Sequence, residues 1–116
     1  MKSYILPVTL AVGGFVAACT SNVPPPNDQW SAAQVAVGRA QAGGAPAVPD
    51  AKLHLQLAQE DLQKAKALIG SDNRRAGTLI VLASTEAQLA STLAQAAQAG
   101  DEAQQARESL QKRGAQ

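Results

Sequence analysis

The sequence predicts an all-α protein: a small, elongated three-helix bundle built on a long antiparallel helical hairpin and preceded by a signal peptide. Three observations predict it. Alanine and glutamine dominate, and aromatic residues make up only 3% of the chain; alanine is the best helix former, but its methyl buries little area, so long helices with a thin core are expected. Apolar residues recur at alternating spacings of three and four, the rhythm of a single helix face. Glycine and proline cluster at a few points and divide the chain into three helical stretches.

The first eighteen residues stand apart. Lys2 is followed by an apolar run from Ile5 to Val16 and then by Val16-Ala17-Ala18-Cys19. A charged start, a short hydrophobic segment and small residues at a cut form a secretory signal. A cysteine directly after small residues is the pattern read by the lipoprotein signal peptidase. Cys19 is therefore expected to become the first mature residue and to carry a diacylglycerol and an N-acyl lipid, with Val16, Ala17 and Ala18 as the lipobox. A membrane span needs roughly 20 apolar residues, and this run is shorter. The alternative of an ordinary signal with a chance cysteine would leave an exported chain with one unpaired thiol, open to oxidation and mispairing. Thr20 stands where an aspartate would suggest inner-membrane retention, so the expected location is the outer membrane, facing the periplasm.

Removal of residues 1–18 from 116 leaves 98, enough for one small domain. Lys2 is the only charge removed, so the mature chain carries nine cations against nine anions. Such a balance offers no basic field for nucleic acid, and Trp30 as the sole remaining aromatic offers no base-stacking platform.

Residues 19–29 form the lipidated cysteine and a tether. Pro24-Pro25-Pro26 favours an extended, stiff polyproline II segment. Residues 30–113 are read as the helical domain and 114–116 as a tail. The first helix is expected to start near Asn27 or Asp28, either of which can cap free amides, and to run to Ala42, where Gly43-Gly44 ends it. Ala45–Pro49 reads as a loop. The second helix starts at Pro49-Asp50 and ends at Gly70. Leu55, Ala58, Leu62, Ala65 and Leu68 form its stripe, which Leu53, Leu57 and Ile69 are expected to widen.

The third helix is read from about Asn73 to Lys112, capped by Ser71 or Asp72 and bent at Gly100. Ala76, Ile80, Ala83, Ala87, Ala90, Ala94 and Ala97 form an unbroken stripe. Leu79, Leu82, Leu89, Leu93 and Ala96 lie beside it and are expected to supply most of the buried area. The short Gly70–Asn73 turn makes the two long helices an antiparallel hairpin, and the first helix is expected to return along the second. Residue counting places Ala42 level with Ala51 and with Leu89–Thr92. Trp30 then falls level with Leu62 and packs on Leu79–Leu82. Residues after Gly100 should project beyond the bundle.

The lipobox, the glycine-proline break and the alanine-leucine rhythm together resemble a family of alanine-rich bacterial lipoproteins carrying a domain of unknown function, the DUF4398 type. Leu55, Ala58, Leu62 and Ala65 match the family's first helix motif. Ala76, Leu79, Ala83, Ala87, Leu89 and Ala90 match the second, and the resemblance covers roughly Ser31 to Ala99. Family members tend to have Asp-Ala where this chain has Glu86-Ala87, and their loop is shorter than the stretch from Ala45 to Leu53. Some members continue into an outer-membrane-protein-A-like domain that grips peptidoglycan. No such domain is read in this chain, so that role is not carried over. The resemblance implies no catalytic residues.

No catalytic constellation is found in the residues either. His54 is the only histidine and reads as an ordinary solvated residue; with Cys19 acylated, no zinc site with the usual ligands can form, and no cofactor is expected. Ser84, Thr85, Ser91 and Thr92 have no histidine base and read as solvent-facing. Asp101-Glu102 reads as helix-start charge, and Arg74-Arg75 as a solvated face with headgroup contact as its functional alternative. The expected function is that of a non-enzymatic, membrane-anchored helical spacer or adaptor, meeting an envelope protein partner or a second copy by helix packing. The alternative is a small ligand-binding or inhibitory lipoprotein that uses a groove between helices. It would need a cavity above about 300 Å³ lined by Leu and Val. A covalent peptidoglycan link is not expected, because Lys112 is not terminal.

Overall fold

In the computed structural model, which describes residues 22–116, three helices follow one another: α1 (Asn27–Ala42), α2 (Pro49–Leu68) and α3 (Asn73–Gly114), with a 3₁₀ turn at Ala45–Ala47. Val16, Ala17, Ala18 and Cys19 lie outside the described residues.

Each boundary has a local cause. Asp72 caps α3 by accepting from the Arg75 amide at 3.1 Å, which satisfies one of the free donors of the first turn. Pro49 occupies the first turn of α2, where its missing N–H is no loss. At the other end of α2, Gly70 adopts φ +92°, a left-handed conformation that glycine takes without a Cβ penalty. The expected side-chain cap of α1 is absent. Its first turn is instead led by Pro26, whose carbonyl accepts from the Trp30 amide at 2.9 Å.

The core is an alanine seam. Ala76, Ile80, Ala83, Ala87, Ala90 and Ala94 are buried on α3, as the three-four spacing requires. Ala51, Leu55, Ala58, Leu62 and Ala65 face them from α2, and Ala33, Val37 and Ala40 from α1. Among the described residues Ile80 is the most completely buried large side chain, at 1% exposed, followed by Leu55 at 4% and Leu62 at 7%. The leucines beside the seam do not supply most of the buried area as expected. Leu82 is 48% exposed, Leu89 40%, Leu53 55% and Leu57 38%, while Leu79 and Leu93 are partly buried. Alanine contacts let helix backbones approach closely, toward the short end of the usual 8–10 Å axis separation. Long side chains flanking such a seam are then pushed to its rim.

α2 and α3 pack strongly as the expected antiparallel hairpin, but α1 lies chiefly on α3 and touches α2 less. Its end lies where residue counting places it: Gly43 shares a groove with Gln88, Ser91 and Thr92, and the Gln98 amide reaches back to donate to the Gly43 carbonyl at 3.0 Å. The connection to α2 is compact: Ala45 is buried within the 3₁₀ turn, which is entered through Gly44 at φ +91°. Trp30 is half-buried against the core cluster that contains Leu62 and Ile80, whereas Val81 and Leu82 stay largely exposed.

α3 continues through Gly100 without a break. Asp101 and Glu102 therefore lie in mid-helix rather than at a helix start. Every residue from 98 to 116 is exposed, and beyond Gln98, which bonds Gly43, the last turns of α3 extend past the bundle as an arm. At ~1.5 Å per residue the whole helix is about 60 Å long, twice α2.

Candidate functional site

Among the described residues no group of three or more His, Cys, Asp or Glu side chains could hold a metal ion, and no helix is long and apolar enough to cross a membrane. The chemistry-bearing side chains instead gather at three places on the bundle.

The first is the side of the α2–α3 hairpin. His54 is not a solvated residue. Its Nδ1 meets Glu86 Oε2 at 2.5 Å, and both side chains are about a quarter exposed. The two residues are equally far from Gly70 along the chain, so an antiparallel hairpin turning there must bring them level. That symmetry is the signal in the sequence that would have found the pair. Leu53, Leu57, Leu82 and Leu89 lie on the same flank of their helices, farther from the seam. The pair bridges the helices beside the alanine-rich seam, where it fixes register more than it adds stability; partly exposed ion pairs contribute about 1 kcal/mol or less.

The second place is an open groove of about 470 Å³ between α1 and α3, lined by Ala36, Arg39, Gly43, Gln88, Ser91, Thr92 and Gln95. It exceeds the expected volume threshold, but its lining is polar and contains no leucine or valine. Ser91 and Ser84 are half-buried on α3 rather than solvent-facing. Thr85 and Thr92 are exposed, and their hydroxyls donate back to the Val81 and Gln88 carbonyls of the preceding turn at 3.0 Å. Hydroxyls engaged this way are satisfied by the helix itself, and no base stands beside them.

The third place is the end of the bundle where the chain enters. Asn73 joins three segments there. Its Oδ1 accepts from the Gly70 amide at 2.7 Å, and its Nδ2 donates to the Val23 carbonyl at 2.7 Å. The proline-rich stretch and the start of α3 form the walls of a second groove of about 400 Å³, lined by Val23–Gln29, Asn73, Arg74 and Gly77. Val23 and Pro26 are half-buried there. Arg74 and Arg75 are exposed in the first turn of α3. The tether is thus fixed to the bundle from Val23 onward.

The family model for a domain of unknown function, DUF4398, matches residues 28–112. No curated protein matches the chain, and no solved structure matches it.

Proposed function

The chain belongs to the DUF4398 family, and on that footing we propose that it is a non-enzymatic envelope lipoprotein, anchored through a lipid on Cys19 and serving as a helical spacer or adaptor for a protein partner. The observation that carries the spacer role is the α3 arm. From residue 98 onward the helix is wholly exposed, yet it remains regular and carries Ala103, Ala106 and Leu110 at helical spacing. A helix with no tertiary packing is marginal by itself, so an arm of this kind is suited to docking on another helix. The anchor rests on the Val16-Ala17-Ala18-Cys19 sequence, with outer-membrane placement following from Thr20.

A ligand-binding reading draws on the groove between α1 and α3. Its polar, open lining is unlike the enclosed, mostly apolar pockets that hold small molecules, which places this reading second.

Two measurements test the proposal. Radiolabelled palmitate should enter the wild-type protein and not Cys19→Ala; label in the variant would remove Cys19 as the anchor. A photo-crosslinking residue at Arg107 on the arm should capture a discrete partner in intact cells, while one at Gln63, exposed on α2, should not. Capture from Gln63 alone would remove the arm as the docking element.

A further inference from the structure

The geometry points to the turn between α2 and α3 as the membrane-facing end of the bundle, with α3 standing away from the bilayer and its free arm outermost. The inference rests on the lipid-anchor reading of Cys19 and adds the surface that meets the lipid. Asn73 carries it. By accepting from the Gly70 amide and donating to the Val23 carbonyl, both at 2.7 Å, its side chain ties the entering chain to the turn fifty residues later. Pro24-Pro25-Pro26 then leads directly into α1, and consecutive prolines give the segment little slack.

Only Thr20, Ser21 and Asn22 separate Cys19 from Val23. Those four residue steps reach about 14 Å at most. A lipid on Cys19 places that residue at the headgroup boundary, so the Gly70–Asn73 turn is held within roughly one headgroup layer of the surface. Ser71, Asp72, Arg74 and Arg75 are exposed there, with Pro24 and Pro25 beside them, a largely polar end suited to the headgroup region. α3 starts at this turn, and its other end lies about 60 Å along the helix.

A rod tethered at one end could also lie flat. Helices that lie in the interface present an apolar face bordered by lysine and arginine. The exposed leucines stand on either side of His54 in α2 (Leu53, Leu57) and of Glu86 in α3 (Leu82, Leu89), and the arm has one leucine, Leu110, among residues of both charges. The upright arrangement follows.

The lipidated full-length protein in phosphatidylethanolamine–phosphatidylglycerol vesicles provides the test. The thioether to the diacylglyceryl group consumes the Cys19 thiol, so Ser71→Cys and Ser109→Cys each create a single labelling site. Quenching of an attached fluorophore by headgroup-nitroxide lipid should be several-fold stronger at position 71 than at 109. Insertion of six Gly/Ser residues between Ser21 and Asn22, which leaves the Asn73 contact intact, should weaken quenching at 71. Equal quenching at the two positions, or an insertion without effect, would overturn the inference while leaving the anchor standing. Failure of the protein to float with the vesicles would overturn the anchor reading, and this inference with it.

Discussion

Ile80→Ala should be the most costly single truncation in α3. Ile80 is 1% exposed and is the only bulky residue in a seam otherwise made of alanine on that helix. The substitution removes three buried carbons. At about 0.8 kcal/mol for each, the transfer term is roughly 2.4 kcal/mol. The cavity left behind adds to it, because neighbouring alanines are too small to collapse into the space; a total of about 3–4 kcal/mol is expected. Leu82→Ala removes the same number of carbons two residues away, but Leu82 is 48% exposed and leaves no enclosed cavity, so it should cost about 1 kcal/mol. For a small domain with about 5–15 kcal/mol in total, the difference is large. Urea unfolding of residues 22–116, followed by far-ultraviolet circular dichroism, measures it. Both variants should keep the wild-type m-value, with the midpoint moving much further for Ile80→Ala. Equal losses for the two variants would refute the burial pattern on which the alanine-seam description stands.

Four further outcomes follow from the same geometry. Ala87→Leu, at a fully buried seam position, should overpack the interface and cost about 1–3 kcal/mol in the same urea assay, despite leucine's good helix propensity. Trp30→Ala should cost about 2 kcal/mol rather than the ~3 of complete burial, because Trp30 is only half-buried on the core; its fluorescence should shift red on unfolding, and an unchanged spectrum would contradict the packing. Gly44→Ala should destabilise by about 1 kcal/mol or more, since φ is +91° and a Cβ there would meet Gln98 Nε2 at 2.9 Å; unaltered thermal stability would contradict the turn geometry. Amide hydrogen exchange in the monomer should be fast from residue 101 to 113, where no intramolecular packing protects the helix, and slow in α2.

The helices were legible in the sequence because their ends are marked by residues with few alternatives. Gly43-Gly44, Pro49, Gly70 and Asp72 each act locally, through positive φ, a missing amide proton or a capping carboxylate, and need no tertiary context. The alanine stripe of α3 was legible for the same reason: its three-four spacing is a property of one helix. What failed depends on how close two helices come. Leu82 and Leu89 share a flank of α3 beside the seam, and periodicity alone treats a flank as a candidate core face. Whether such a residue is covered is set by the axis separation, which the alanines hold short. The path of α1 failed in one respect: it lies chiefly on α3 rather than along α2, and residue counting along the chain does not decide which of two neighbouring helices a third one covers.

The candidate surfaces divide along the same line. His54 and Glu86 were individually plain, one reading as solvated and the other as a departure from a family motif. Their pairing required only the symmetry of the hairpin about Gly70, which was present in the sequence. The Asn73–Val23 contact had no comparable signal, since asparagine before a helix reads first as local capping and Val23 belongs to a proline-rich stretch with no periodicity to place it. Yet this contact ties the proline-rich tether to the bundle from Val23 onward. A seam of methyl groups gives close approach and little area, so this bundle cannot rely on core bulk to fix how its parts sit. Single polar links at the margins take over that role: Gln98 on Gly43 for the end of α1, His54 on Glu86 for the hairpin register, and Asn73 on Val23 for the entering chain.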